Sequence, residues 1–192
     1  YCYRRRQTSL SYYMQNIIEK IIFNFSNNKS LYIGENVTIA DHMLQTAMIA
    51  EKNKSSDNLV CSSLLHDYGH FLVEDPDKLV DDKIDGEHEN VGANYLRKFF
   101  PENIIEPILL HVEAKRFLAR DLSYFKLLSE ASIKSLKLQG GPMSDDEIKQ
   151  FKSKPYYQEA IKLRRFDEGA KNPEIRSKKI NEYKELLISK LK

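Results

Sequence analysis

The chain has 192 residues, 41% of them hydrophobic and 30% charged, a length that suits one domain able to bury roughly 70% of its unfolded surface. Thirty basic and 28 acidic residues leave a formal charge of +2, and with both signs mixed along the chain no global basic field points to nucleic acid. Two cysteines, Cys2 and Cys61, exclude a disulfide scaffold and a cysteine-type zinc site and fit a reducing, cytoplasmic compartment, while no run approaches about 18 uninterrupted apolar residues, so no membrane span is expected.

Periodicity is helical nearly throughout. Arg4-Arg5-Arg6 and Gln7-Thr8-Ser9 open the chain as a solvated tail, and the apolar stretch beyond is broken by Glu19 and Lys20, against a signal peptide. Leu10, Tyr13, Ile17, Ile21 and Phe25 mark one face of a first helix, ended by Asn27-Asn28-Lys29-Ser30. Ala40, Leu44, Ala47 and Ala50 predict a second helix, stopping before the polar stretch from Asn53 to Asp57. Leu59, Val60, Ser63 and Leu64 carry a third into His66-Asp67, with Gly69 as its stop. The acidic, non-periodic segment from Glu74 to Gly86 reads as a loop. A fourth helix runs from His88 through Val91, Tyr95 and Phe99. Pro107 is expected in the first turn of a fifth, which carries His111 and Lys115. Ser123 is expected to cap a sixth through Leu127 and Ala131. After the Gly140-Gly141-Pro142 break, Ser144 and Glu147 have capping-box spacing and open a seventh. Asn172-Pro173 separates the helix bearing Arg164 and Asp167 from a last amphipathic one marked by Ile180, Tyr183, Leu187 and Leu191. With no alternating β-branched run and no long linker, the expected fold is a single all-α bundle.

The five histidines carry the chemistry: His42, His66, His70, His88 and His111. A lone histidine beside apolar positions is usually a satisfied core or surface residue. The His66-Asp67 doublet differs, because adjacent residues at a terminating helix can both reach one centre. An imidazole with a carboxylate is what first-row metals such as iron, manganese or zinc accept. With His42 upstream and Asp167 downstream, the order His, His-Asp, Asp spans four helices and resembles the metal-binding signature of the HD-domain superfamily. His88 and His111 remain for a second metal, and Asp67, with two oxygens, can bridge two ions about 3.5–4 Å apart. One metal would then take His42, His66, Asp67 and Asp167, and the other Asp67, His88 and His111, both with open positions. HD phosphodiesterases and inositol oxygenases usually continue the doublet as His-Asp-x-Gly-Lys. Here the string is His66-Asp67-Tyr68-Gly69-His70, and His70, four residues from His66, would face the same pocket on a continuing helix.

Further residues narrow the resemblance. Tyr32-x-x-Glu35 ahead of His42, the His66-to-His70 string and His111-x-x-x-Lys115 resemble the PhnZ-like HD-domain mixed-valence diiron oxygenases, which cleave carbon–phosphorus bonds. Gln139-Gly140-Gly141-Pro142-Met143, Leu163-Arg164-Arg165-Phe166-Asp167 and Ser132 belong to the same pattern. The resemblance covers residues 30–172, which would form the diiron core; residues 1–29 would add a tail and a packing helix, and residues 173–192 a C-terminal amphipathic helix.

What the resemblance implies is specific. Two irons as an Fe(II)/Fe(III) pair would be the cofactor and O2 the co-substrate. Lys115 and Arg164 would clamp a phosphonate, Arg164 projecting beside Asp167 three residues on, and Ser132 and His70 would complete the anion's hydrogen bonds. Glu35 would meet a substrate ammonium group. Tyr32 would occupy an iron position in the empty enzyme and swing away when substrate arrives, with Gly34 compatible with a mobile loop. The substrate hydroxyl and a phosphonate oxygen would be chelated, hydrogen would leave the hydroxyl-bearing carbon, and inorganic phosphate and a carboxylic acid would form. That acid is glycine from 2-amino-1-hydroxyethylphosphonate and glycine betaine from its N-trimethylated form. The expected partner is thus a small organophosphonate, with no nucleic acid and no membrane, and the oligomeric state stays open. A two-metal HD phosphohydrolase acting on a small phosphate ester would use the same ligands, but hydrolysis does not call for Tyr32 and Glu35, and His70 stands in place of the usual lysine. A helical binding module without catalysis is the reading furthest from these residues, since every ligand position is filled.

Overall fold

The computed structural model describes residues 16–32, 35–72 and 88–192. The expectations for Arg4-Arg5-Arg6, Leu10, Tyr13, Gly34 and the Glu74-to-Gly86 loop lie outside these residues. The described chain is all-α; its one extended pairing is an isolated bridge between Leu31 and Thr38.

Helix α1 (residues 16–27) turns Ile17, Ile18, Ile21 and Phe25 into the core. Thr38, whose hydroxyl accepts from the Asp41 amide at 3.0 Å, caps α2 (Ile39–Lys52), and Ser56 caps α3 (Asp57–Leu65) in the same way. The α-helix ends at His66, short of the expected stop at Gly69, and a 3₁₀ turn (Tyr68–Phe71) follows. Gly69 serves contact rather than termination. A Cβ there would stand 1.9 Å from the His88 carbonyl oxygen, and one at Gly92 would stand 2.8 Å from the Gly69 nitrogen. The turn and α4 (His88–Leu96) therefore touch backbone to backbone.

Helix α5 (Glu102–Leu118) begins five residues before Pro107, which the sequence reading placed in its first turn. Pro107 lies inside the helix, where it has no N–H for the Asn103 carbonyl; the flanking Ile104, Ile105 and Ile108, all fully buried, outweigh that loss. The single helix expected from Ser123 through Ala131 is two. Asp121, two residues ahead of Ser123, caps the short α6 (Leu122–Phe125), and Ser129 restarts the chain as α7 (Glu130–Leu138). Leu127, expected within that single helix, lies in the turn between the two and is exposed.

The glycine break is real: Gly140 and Gly141 have φ of 96° and 73°. The capping box is present as expected, with Ser144 and Glu147 satisfying each other's backbone amides at the start of α8 (Asp145–Ser153). Helix α9 (Tyr157–Glu168) follows, and the C-terminal amphipathic segment is a 3₁₀ turn (Ile180–Tyr183) running into α10 (Lys184–Ser189).

Helix α9 packs on α5, α2 and α3, while α4 bridges α5 and the 3₁₀ turn. The main core between them holds Ile21, Met43, Ala47, Leu64, Leu65, Leu96, Ile104, Leu163 and Leu187. Truncating a fully buried Leu64 or Leu65 to alanine costs about 2–5 kcal/mol. No helix among the described residues is long and apolar enough to cross a membrane.

Candidate metal centre and substrate pocket

Six of these elements each point a polar side chain at one buried volume. His42 comes from the middle of α2, His66 from the residue capping α3, Asp67 from the step into the 3₁₀ turn, His88 from the start of α4, His111 from α5 and Asp167 from the last turn of α9. The end of the α-helix at His66 is what allows the doublet to converge, because Asp67, at φ −102° and ψ 15°, has left the helical path.

The donors fall into two groups, His42 with His66 and Asp167, and Asp67 with His88 and His111, the ligand atoms of each lying within 4.8 Å of one another. Asp67 stands between them. Its Oδ2 is 3.3 Å from His66 Nε2 and 3.6 Å from His42 Nε2; its Oδ1 is 3.3 Å from His88 Nε2 and 3.6 Å from His111 Nε2. Asp167 Oδ1 lies 3.3 Å from His42 Nε2.

The outer nitrogens explain the inner ones. Nδ1 of His42 donates to the Ala170 carbonyl at 2.9 Å, that of His66 to Ser63 at 2.9 Å, and that of His111 to Ile108 at 2.7 Å. These bonds set the tautomer and aim each Nε2 lone pair inward, the support that metal-ligating histidines receive. His42 Nε2, His66 Nε2, both Asp67 oxygens and Asp167 Oδ1 are buried with no hydrogen-bond partner. Orphaned acceptors at this density would be costly in an apolar interior, and a cation satisfies them. His88 Nε2 and His111 Nε2 approach to 3.2 Å, an ordinary separation for two ligands of one ion at about 2.1 Å each. Each group, two imidazoles and one carboxylate, is the donor set suited to non-haem iron with open positions.

Electrostatics follow from burial. Burial pushes His70 and His111 down to about 3. Burial presses His66 and His88 the same way, yet the Asp67 carboxylate raises both. Burial alone would raise Asp67 and Asp167; His66 and His88 around the first and the Arg164 guanidinium beside the second hold both well below the usual carboxylate range.

The other expected residues ring this pocket. Tyr32 stacks on the His42 ring at 4.3 Å, and its phenol is raised by burial and by the Asp67 and Asp167 charges. His70 lies within the 3₁₀ turn, not on a continuing α-helix, and still stacks on His88 at 4.3 Å. Lys115 is buried and donates to Ser135 Oγ at 2.9 Å. Arg164 has three of its five N–H donors engaged inside the protein: Nε donates to Tyr124 Oη at 2.9 Å, and its terminal nitrogens pair with Asp167 and Glu168. It supports a ligand carboxylate before it can serve an anion.

Four residues here were not singled out from sequence: Tyr124, Ser135, Glu168 and Lys171. Lys171 is the busiest. Its ammonium donates to Ser132 Oγ at 2.9 Å and Glu168 Oε1 at 3.0 Å, and lies 3.6 Å from Glu35 Oε1. The signal was its position four residues after Asp167, which carries weight only once Asp167 is a ligand.

Comparison with known proteins agrees with this geometry. The HD domain family model matches residues 39–168. A [1-hydroxy-2-(trimethylamino)ethyl]phosphonate dioxygenase (glycine-betaine-forming) of Leisingera caerulea is 45% identical over 163 residues, 83% of each chain. A hydroxymethylphosphonate dioxygenase of Gimesia maris is 41% identical over 157 residues, 79% of this chain and 77% of the relative. An uncharacterized protein of Acanthamoeba polyphaga mimivirus is 33% identical over 187 residues, 92% of this chain and 85% of that one. Six inward-facing donors in two groups, a match across most of the bundle and two dioxygenase relatives converge: the chain belongs to the HD-domain family, among its PhnZ-like oxygenases.

Proposed function

We propose that this protein is an iron-dependent dioxygenase that cleaves the carbon–phosphorus bond of 2-amino-1-hydroxyethylphosphonate, giving inorganic phosphate and glycine. One substrate and one O2 balance to one phosphate and one glycine, with no further co-reactant. The observation that carries the reading is the pair of two-histidine, one-carboxylate groups joined at Asp67, whose Oδ1 belongs with His88 and whose Oδ2 faces His66. Bound there, iron supplies the redox chemistry that a carbon–phosphorus bond demands, since that bond is not opened as an ester is by metal-hydroxide attack at phosphorus.

His42, His66, Asp67 and Asp167 would hold one iron, and Asp67, His88 and His111 the other. The remaining residues bind and orient. Lys115, buried and cationic, is placed to take phosphonate oxygens; Ser132, Arg164 and the neutral ring of His70 add donors. Tyr32, lying across His42, screens the ligand from water until substrate displaces it. Glu35 would receive the substrate's ammonium.

Glu35 also supports the primary amine. Its Oε1 is buried and accepts no hydrogen bond. A primary ammonium donates to such an oxygen, whereas a trimethylammonium carries charge without a donor. The N-trimethylated substrate is the second reading, favoured by the name of the Leisingera relative. Phosphate release by iron-loaded protein, with and without O2, from the primary amine, its trimethylated form and hydroxymethylphosphonate tests both. Oxygen-dependent release fastest from the primary amine is expected. Faster release from the trimethylated compound transfers the assignment to it, and release from phosphate esters alone without O2 overturns the oxygenase.

A further inference from the structure

We propose that Lys171 is a specificity-determining residue, a resident cation that competes with the substrate's head group for Glu35. The inference rests on the reading above and concerns what that pocket discriminates.

Lys171 joins three segments at the rim of the site. Glu35 and Tyr32 lie on the chain entering α2, Ser129 and Ser132 at the start of α7, and Glu168 at the end of α9. The ammonium meets Ser132 Oγ at 2.9 Å, Glu168 Oε1 at 3.0 Å and Ser129 Oγ at 3.4 Å, and stands 6.0 Å from the centre of the Tyr32 ring. An ammonium has three hydrogens to donate, and these three oxygens take them. Glu35 Oε1, 3.6 Å away, is left with the Coulomb attraction and no hydrogen bond.

The pocket therefore has two states of balance. With a substrate lacking a cationic head, Lys171 neutralises Glu35, and the carboxylate does not repel the incoming phosphonate. With a substrate carrying an ammonium group, the head supplies the missing donor to Glu35 and meets the Lys171 charge as a like-charge neighbour. At 3–4 Å in a buried pocket such pairs are weakly screened, so the lysine sets how strongly ammonium-bearing and neutral-headed phosphonates are told apart. Removing its charge exposes Glu35 and shifts the preference toward the ammonium.

The test is equilibrium binding to iron-loaded protein under argon, which needs no turnover. The probes are 2-amino-1-hydroxyethylphosphonate and hydroxymethylphosphonate, on wild type, Lys171→Met and Lys171→Arg. The ratio of the two Kd values is expected to move about tenfold or more toward the ammonium compound in Lys171→Met, and to stay near wild type in Lys171→Arg, which keeps the charge. A ratio unmoved in Lys171→Met, or moved toward hydroxymethylphosphonate, overturns the role, as does an equal weakening of both ligands, the mark of a merely structural lysine. Lys171→Gln replaces the methionine variant if that fails to fold. Wild-type protein that binds neither phosphonate defeats the functional reading itself, and the Lys171 proposal with it; a wild type that binds either leaves the variant ratio as the sole judge.

Discussion

The two halves of the metal centre are built differently. His42, His66 and Asp167 are at most 1% exposed, both imidazoles are anchored on backbone carbonyls, and the carboxylate is gripped by Arg164. Across Asp67, His111 has the same kind of carbonyl anchor, but His88 has none among the described residues: its Nδ1 faces the Glu89 carboxylate at 3.7 Å, and its side chain is 15% exposed. The inner half is held by the fold, whereas the outer half depends on the position of one short helix. The inner half should therefore resist perturbation and cost stability when broken, and the outer half should lose its ion alone.

The largest effect tests the shared residue. Asp67→Ala should abolish phosphate release and remove both irons, since one side chain faces both groups; metal analysis that still finds two irons per chain would dissolve the distinction between halves. Next, His88→Ala should leave one iron bound with an almost unchanged melting temperature, while His42→Ala should lower both metal content and melting temperature. If the two variants behave alike, the asymmetry has no energetic meaning.

Arg164 and Lys115 sharpen the same contrast at the substrate rim. Arg164→Met strands the buried Asp167, while Glu168 keeps Lys171, so chemical unfolding should show a loss of about 3–5 kcal/mol, with reduced iron. Lys115→Met should retain both irons and weaken phosphonate binding by roughly ten- to a hundredfold, the size of a lost charge-assisted hydrogen bond. Smallest is a control remote from the centre. Glu147 is lowered to about 2 by the Ser144 amide and by Arg116, below its ordinary 4.5. Such a group stabilises the fold above about pH 4.5 and loses that contribution as pH falls toward 2. Glu147→Gln should thus melt slightly lower at pH 7, approach wild type near pH 2, and keep its metal content at pH 7.

Much of this was legible in the sequence for a plain reason: histidines are few here, and His42, His88 and His111 sit at positions on α-helices that a 3.6-residue period can place. The convergence of His42, His66, Asp67, His88, His111 and Asp167 needed only their order. Lys171 was not legible, because one lysine among 30 basic residues resembles any solvated charge until the fold brings Glu35 and Ser132 to it. Tyr124 was hidden in the same way, its role arising from a partner 40 positions away. The misplaced start of α5 has a local cause: Pro107 has the look of a helix opener, and only the burial of Ile104 and Ile105 reveals the turn before it. The divided helix after Asp121 reflects two competing caps that periodicity does not rank.

The contact of Gly69 with the His88 carbonyl and Gly92 sets a length scale for the chemistry. It brings the HD turn and α4 to the smallest spacing two backbones allow, and Asp67 and His88 are the neighbours of that contact on either side. The two glycines act as a shim of zero thickness between the halves of the centre. A single methyl at either would lift α4 away, lengthening the reach from Asp67 Oδ1 to His88 while leaving His42, His66 and Asp167 in place. The gap between the two donor groups, and with it whether they could share Asp67 between two ions, would thereby rest on the absence of two side chains.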